Sequence, residues 1–462
     1  MFFSSLVSAQ ESKNADPLSS DLNLSDSVPA DANPSASQNF FGPAEQNLVL
    51  DLGDCVRMAL RNNSEIKESA LDIELSQWRL KEAQPSGLPV IDYEYEAAPV
   101  PMDASNAVDT FFKGDITMIN RVKVGIGVPV FTFGKIKLAQ SLARMGIGAS
   151  QEKKTQKTNE IVLKVKQLYN GILLAADVRE MLEEALKKIN EEINKREAEA
   201  GGADPLELAK IKLTRFEVLK HLGETIRKGE LAVAGLRLQI GMDRNFSYQI
   251  KDQHLRPVDF QLKDLDFYLQ ESKRYRPESR LLDIAVKAKE TEYRLEKRKL
   301  LPNLGVGMFY ELGSTVDTVA NVGSTSDFND PFNYTRAGVG IRIKGDLNFT
   351  EARAKIKQKQ LEYYKVSALK DYAEDGLNLD MQDAYSNAKQ SKIDLENMEQ
   401  AYRLARQVVF LSKTNNDIGV GDKNAYGEAL QSYLLMKGRY FEAIFNYNNA
   451  VATLMSKIGY QY

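Results

Sequence analysis

Four stretches of the chain alternate apolar and polar residues with a period of two, which predicts β-strands with one apolar and one polar face. The predicted strands span about residues 88–98, 119–131, 302–312 and 334–344. The apolar positions include Ile91, Tyr93, Tyr95, Val122, Val124, Val306, Met308, Val339 and Ile341. The polar positions include Asp92, Glu94, Glu96, Arg121, Lys123, Arg336 and Arg342, interspersed with glycines.

Strands of about ten residues with this alternation match those of a membrane β-barrel, with apolar side chains toward lipid and polar side chains toward the lumen. On this interpretation Tyr93, Tyr95, Tyr310 and Tyr334 are candidates for the aromatic girdles. The competing interpretation is a soluble amphipathic sheet packed on helices. The links at about 98–118 and 313–333 are rich in Asp, Asn, Ser, Thr and Gly, which predicts exposed loops.

Apolar residues recur in alternating steps of three and four along three of four much longer helical segments, namely the first, third and fourth, which predicts coiled-coil packing of long helices. The four segments span about residues 136–199, 204–241, 350–415 and 422–459. The first of them, if continuous, is about 96 Å long at 1.5 Å per residue. The last carries a second apolar stripe that includes Phe441, Phe445 and Met455, so we expect it to have neighbours on two sides.

The chain contains an internal duplication with a shift of 213 residues. Asn63-Ser64-Glu65 corresponds to Arg276-Pro277-Glu278, and Gly125–Val128 to Gly338–Ile341. The repeats are predicted at 47–258 and 259–462, each with the order helix, strand, strand, long helix, helix. Residues 1–9 are interpreted as the remnant of a signal peptide and residues 10–46 as a disordered tether.

Four strands are too few to close a membrane barrel, which starts at about eight strands, and open strand edges are not tolerated in lipid. Several chains must therefore contribute. Two chains would give eight strands and three would give twelve, and these arguments do not choose between them.

The composition mainly excludes classes of function. The 462 residues carry a formal net charge of −3, which gives no basic footprint for nucleic acid. The single cysteine, Cys55, is interpreted as a helix-face thiol. His221 and His254 lie far apart without metal-ligand spacing. We therefore predict no catalytic residues, no cofactor and no metal site, and no enzymatic activity.

Several local stretches resemble the TolC-like outer-membrane efflux family, from about Leu48 to Tyr460. Asp51–Asn63 is similar to the opening helix of that family, and Pro129–Lys135 to its turn from strand to long helix. Ile418–Gly421, Glu428-Ala429 and Tyr447–Leu454 are similar to its final helix hairpin. The ordered set is more specific than any one stretch.

The resemblance implies a mostly α-helical homotrimer with a 12-stranded β-barrel shared in the outer membrane of a Gram-negative bacterium. Its long helices would form a coiled-coil barrel in the periplasm. The implied partners are a periplasmic adaptor protein, an inner-membrane pump and the lipid of the outer membrane. The implied function is a passive exit duct for efflux or type I secretion. The alternative is a soluble periplasmic coiled-coil scaffold or adaptor without a pore.

The resemblance also implies roles for the turns between the long helices, which match the periplasmic tips where adaptors dock. The tip residues are Gly201, Gly202, Asp204, Gly419, Val420, Gly421 and Asp422. Glu428 falls on the second of two acidic positions that narrow the tunnel in the family, whereas Ala425 occupies the first. Helix capping is the competing interpretation of Asp204, Asp422 and Glu428.

Overall fold

The computed structural model describes residues 48–84, 88–102, 107–198, 205–243, 247–315, 332–345, 348–418 and 425–460. The predicted signal-peptide remnant at 1–9 and the predicted tether at 10–46 lie outside these residues. The first repeat contains β1 (Leu48–Leu50), α1 (Leu52–Asn62), α2 (Ser64–Ala83), β2 (Val90–Pro101), α3 (Ala107–Lys113), β3 (Ile116–Phe131), α4 (Lys135–Ala198), α5 (Pro205–Gln239) and β4 (Tyr248–Ile250). The second contains α6 (Leu265–Tyr275), α7 (Pro277–Lys299), β5 (Asn303–Thr315), β6 (Tyr334–Lys344), α8 (Phe349–Asp417) and α9 (Ala425–Ile458).

Both repeats break their first helical stretch at the same position, but with different chemistry. Asn63 ends α1, and its side-chain Oδ1 accepts from the backbone N–H groups of Glu65 at 2.9 Å and Ile66 at 3.3 Å. Arg276 ends α6 with an equally extended backbone, and Pro277 begins α7. A side-chain cap and an N1 proline both suit the start of a helix, so the break persists although the residues differ.

Two predictions about connections need correction. The link at 98–118 is not simply a loop, because β2 continues to Pro101, β3 begins at Ile116, and α3 lies between them. An ion pair between Asp109 and Lys113, one helical turn apart, supports that helix. The link at 313–333 is shortened by β5, while 316–331 lie outside the described residues. The parallel pairing of β1 with β4 was not predicted, since three-residue strands carry no periodic signal.

The long helices pack as two hairpins, α4 with α5 and α8 with α9. Helix α9 has neighbours on two sides, as its double stripe predicted. Tyr440 stacks on Tyr402 of α8 with ring centroids 5.4 Å apart, and Asn449 accepts a hydrogen bond from Asn170 of α4 at 3.1 Å. Across the described ranges, no helix is both long enough and apolar enough to cross a membrane.

Two hydrophobic clusters fill the helical body below the strands. The larger joins α1, α4, α5 and α9 and contains Cys55, Ile161 and Tyr248, all fully buried. The smaller joins α6, α8 and α9 around Tyr268, Met381 and Leu454. Burial, with smaller contributions from Asp54 and Asp51, raises the pKa of the Cys55 thiol to about 12. Cys55 is therefore a packing residue with an inert thiol.

The segment between the repeats, residues 251–264, is fastened to the helices by two buried polar side chains. Asp177 of α4 accepts a hydrogen bond from the backbone N–H of Leu255 at 2.8 Å. Asn448 of α9 donates to the carbonyl of Arg256 at 2.8 Å and accepts from the N–H of Val258 at 2.9 Å. The backbone of this extended segment lies outside helices and sheets, so these side chains supply its hydrogen-bond partners.

We expect Asn448→Ala to leave the Arg256 carbonyl and the Val258 N–H without partners and to lower the free energy of unfolding by about 1–3 kcal/mol. Thermal denaturation and limited proteolysis of segment 251–264 measure this effect. Asn446→Ala, on the exposed face of the same helix, is the matched control. Equal stability of the two variants would contradict the fastening role of Asn448.

Candidate functional site

The four strands β2, β3, β5 and β6 form one antiparallel sheet in that order, with one hairpin from each repeat. Val124 faces Tyr93 on one side and Tyr310 on the other, and Met308 faces Val339. The register therefore gathers all the predicted lipid-facing positions on one face of the sheet. We call this surface, which includes Ile91, Tyr93, Tyr95, Val122, Val124, Val306, Met308, Val339 and Ile341, the apolar face.

None of the helices that the structure describes covers the apolar face. Tyr93 is 84% exposed, Val339 75% and Ile341 79%. Within the described ranges, the substantial helix contact of this sheet is that of α3 against β2. The competing interpretation of a sheet packed on the helices is therefore wrong for a single chain. The large apolar surface that remains exposed is typical of a site that contacts lipid or another protein.

The opposite, polar face carries charges of both signs. The same register gathers the predicted lumen positions Asp92, Glu94, Glu96, Arg121, Lys123, Arg336 and Arg342 on this side. One row crosses all four strands as Glu94, Lys123, Glu311 and Arg336, so each residue has opposite charges beside it. Such cross-strand neighbours attract one another and fix the register.

A second set of polar contacts lies at the end of the sheet nearest the strand-to-strand links. Arg121 donates from Nη1 to Glu96 at 3.0 Å, and its Nε lies 3.7 Å from Glu311. The Tyr334 hydroxyl donates to Glu311 at 2.6 Å. The prediction of Tyr334 as a girdle residue is wrong, because it pairs with Gly313 and points to the polar face. Its ring fills the space above that glycine.

The predicted helix tips are described only in part. Gly201, Gly202, Asp204, Gly419, Val420, Gly421 and Asp422 lie outside the described residues. Glu428 is exposed in the first turn of α9, which begins at Ala425. This position suits an acidic side chain near a helix N-terminus, and its role as a tunnel constriction stays a prediction.

Folding brings together an acidic and histidine cluster that the sequence did not reveal. His254 Nδ1 lies 2.7 Å from Oδ1 of the buried Asp177, and Glu180 is close enough for the three to offer ligand atoms within 4.8 Å of one another. Such a group could hold a metal ion. Asp177, however, is already engaged by His254 and by the N–H of Leu255, which accounts for its burial. Asp177 and His254 are 77 positions apart in the sequence, so no spacing rule relates them.

A charge network around the buried Arg276, which lies between α6 and α7, links this junction to α8 and α9 in the second repeat. Arg276, whose side chain is 4% exposed, contacts Asp380, and Lys457 donates to the same carboxylate at 2.8 Å. Arg276 also donates to the carbonyl of Leu377 at 3.2 Å. Burial raises the pKa of Asp380, but hydrogen bonds from Lys457 and Arg276 outweigh it and hold the pKa below its ordinary value. The duplication had marked Arg276, although its partners lie about 100 residues further on.

Comparison with known proteins supports this architecture. Residues 55–220 match the family model described as outer membrane efflux protein. The resemblance to the outer-membrane efflux family is confirmed. The chain is mostly helical with a small sheet, as predicted. The matched segment runs from α1 into α5, and the likeness of the remainder is one of fold. No curated protein sequence matches the chain significantly.

Solved structures extend the likeness over nearly the whole length. The Campylobacter jejuni CmeC outer membrane channel is 17% identical with a TM-score of 0.71, covering 96% of this chain and 94% of that one. A membrane protein from Pseudomonas aeruginosa is 15% identical with a TM-score of 0.72, covering 94% and 99%. The open-state MtrE outer membrane channel of Neisseria gonorrhoeae is 15% identical with a TM-score of 0.71, covering 88% of each chain. At such identities the comparison shows a shared fold.

The Asp380 network predicts a pH-dependent stability. Because the folded-state pKa of Asp380 is depressed, its contribution is present above the unfolded pKa of about 3.9 and is lost as pH falls through the folded value. We expect Asp380→Asn to lower the unfolding temperature at pH 7 and to lose less further stability than the wild type between about pH 5 and pH 3. Thermal denaturation in detergent across that range measures both effects.

Asp375→Asn is the matched control, because Asp375 lies on the exposed side of the same helix. It should keep the wild-type pH profile. A profile for Asp380→Asn that also follows the wild type would show that the network does not stabilise the fold.

Proposed function

We propose that the chain is one subunit of a homotrimeric outer-membrane channel that serves as the passive exit duct of a tripartite efflux or type I secretion system. The observation that carries this proposal is the amphipathic sheet. Its apolar face is exposed, its polar face is charged, and it sits at one end of helices of 64 and 69 residues. A soluble scaffold would leave that apolar face in water, which is unfavourable.

The edges of the sheet support assembly from several chains. Strands β2 and β6 are the outer strands of the described sheet, so each has a row of backbone N–H and C=O groups without partners among the described strands. In a hydrocarbon layer each such group costs several kcal/mol. Pairing β2 of one chain with β6 of the next would satisfy both edges, and three chains would close a 12-stranded barrel.

The helices offer matching surfaces for a second copy. On α2, Leu71, Leu75 and Trp78 are each at least half exposed at helical spacing. On α8, an exposed apolar stripe includes Tyr372 and Leu379, one heptad apart. Apolar stripes at this spacing are typical of helices that pack in coiled coils. Contact between the helices of neighbouring chains would bury both stripes and continue the barrel as a helical tunnel into the periplasm.

This arrangement assigns the remaining surfaces. The apolar face would contact outer-membrane lipid and the polar face would line a water-filled lumen. The turns after α4 and α8 would form the periplasmic tips, where an adaptor protein docks and links the duct to an inner-membrane pump. Glu428, in the first turn of α9, would stand near the narrow end of the tunnel. Energy would come from the pump, so the duct needs no catalysis of its own.

Two neighbouring residues test the lipid assignment, because Val339 lies on the apolar face and Gly340 on the polar face. A Cβ added at Gly340 meets nothing within 4 Å. We expect Val339→Lys to destabilise the folded barrel by about 2–4 kcal/mol and Gly340→Lys to be tolerated. The measurements are the amount of each variant in purified outer membranes and its resistance to urea extraction.

Equal recovery of Val339→Lys and Gly340→Lys from outer membranes would contradict a lipid-facing apolar surface. A wild-type chain found only in the soluble periplasmic fraction would instead favour the scaffold alternative.

A further inference from the structure

The half of the polar face nearest the long helices is made largely of glycine. Gly125 and Gly127 lie on β3, Gly307 on β5, and Gly338 and Gly340 on β6. We call these five residues the glycine shelf. Gly127, Gly307 and Gly340 stand side by side in one row, and a Cβ added at Gly127 or Gly340 meets nothing within 4 Å. At Gly127 and Gly340 the shelf is thus bare backbone with open space above it, whereas side chains lie over Gly125 and Gly338.

One aromatic ring stands on this shelf among the described strands. Phe309 pairs with Gly125 on one side and Gly338 on the other. Its ring lies so close to Gly338 that a Cβ added there would be 2.8 Å from a ring carbon. The side chain nevertheless remains 39% exposed. The ring therefore leans over Gly338 and keeps part of its surface available.

A carboxylate lies in the same cross-strand row as the ring of Phe309. Asp92 pairs with Gly125, and a Cβ added at Gly125 would be 2.7 Å from an Asp92 carboxylate oxygen. Asp92 has no cation within ion-pair distance among the described residues, whereas Glu96 and Glu311 are both close to Arg121. Phe309 and Asp92 thus flank Gly125 from two strands about 10 Å apart.

We propose that Phe309, Asp92 and the glycine shelf form a contact site for planar aromatic cations on their way through the channel. The inference rests on the proposed function, which places the polar face in the lumen. A flat ring system can lie directly on bare backbone, whereas branched side chains at these positions would keep it away from the backbone. The π-face of Phe309 attracts positive charge, and the unpaired Asp92 carboxylate adds to that attraction. Three chains would present three equivalent sites around the lumen.

A purely structural role for the ring is the competing explanation. An aromatic side chain placed across from a glycine covers its backbone and stabilises the pairing of the strands. That role predicts a loss of folding or yield when the ring is removed. It predicts no change in how a passing cation interacts with the channel, so the two explanations separate in a conductance experiment.

The experiment uses the full chain, purified from outer membranes and placed in planar lipid bilayers. Ethidium, a planar aromatic cation, and choline, a cation without a ring, are compared as blockers. The current of each variant is normalised to the value for the same variant without blocker. We expect ethidium to block at lower concentration than choline. Phe309→Leu should raise the half-blocking concentration of ethidium about threefold to tenfold, and Asp92→Asn should raise it less. Phe309→Tyr should retain the wild-type value, as should the matched control Met308→Leu on the apolar face.

The outcomes are distinguishable. An ethidium block that is equal in wild type and Phe309→Leu, or no stronger than the choline block, overturns the contact site while the channel stands. Absence of any conductance from the wild-type protein overturns the proposed function itself. If Phe309→Leu fails to assemble, Gly340→Leu fills the shelf without removing the ring. That variant should weaken the ethidium block by a similar factor, and an unchanged block would reject the site.

Discussion

The sheet of four strands lacks two things in the described part of its chain: a cover for its apolar face and hydrogen-bond partners for its two outer strands. The proposed assembly depends on this constraint. Val339 is 75% exposed and Ile341 is 79% exposed. The backbone groups along the outer edges of β2 and β6 have no strand partners in the part of the chain that the structure describes. In the proposed assembly, lipid and further copies of the chain would together meet these needs, so the proposal rests on the sheet rather than on any catalytic group.

The sheet and the helical body are both built from the duplication, since each repeat contributes one hairpin and one pair of long helices. The two repeats keep the same backbone break before α2 and before α7, yet Asn63 and Arg276 bring different partners to it. Asn63 caps a helix and bonds to the carbonyl of Gln239 at 2.9 Å. Arg276 instead anchors a charge network with Asp380 and Lys457. The shared geometry is thus set by the backbone, and the side chains at the same position have diverged.

The two faces of the sheet could be predicted from the sequence because a period of two leaves little freedom once the register is fixed. Tyr334 shows the limit of that argument, since an aromatic residue near a strand end suits a girdle and a polar contact equally well. Helix α3 was missed because its seven residues follow a polar link. The Asp177–His254 pair was missed because nothing in a single sequence relates two residues 77 positions apart before the helices are packed. The tip residues follow from family resemblance and remain a prediction.

On the proposed function, the sheet becomes complete only when several chains share it. The most direct measurement is the mass of the protein extracted in mild detergent from purified outer membranes, corrected for bound detergent. We expect a particle with the mass of three chains, recovered from the outer-membrane fraction. A monomer or dimer recovered from the soluble periplasm would contradict it, since a lone sheet with two open edges and an exposed apolar face would then have to be stable in water.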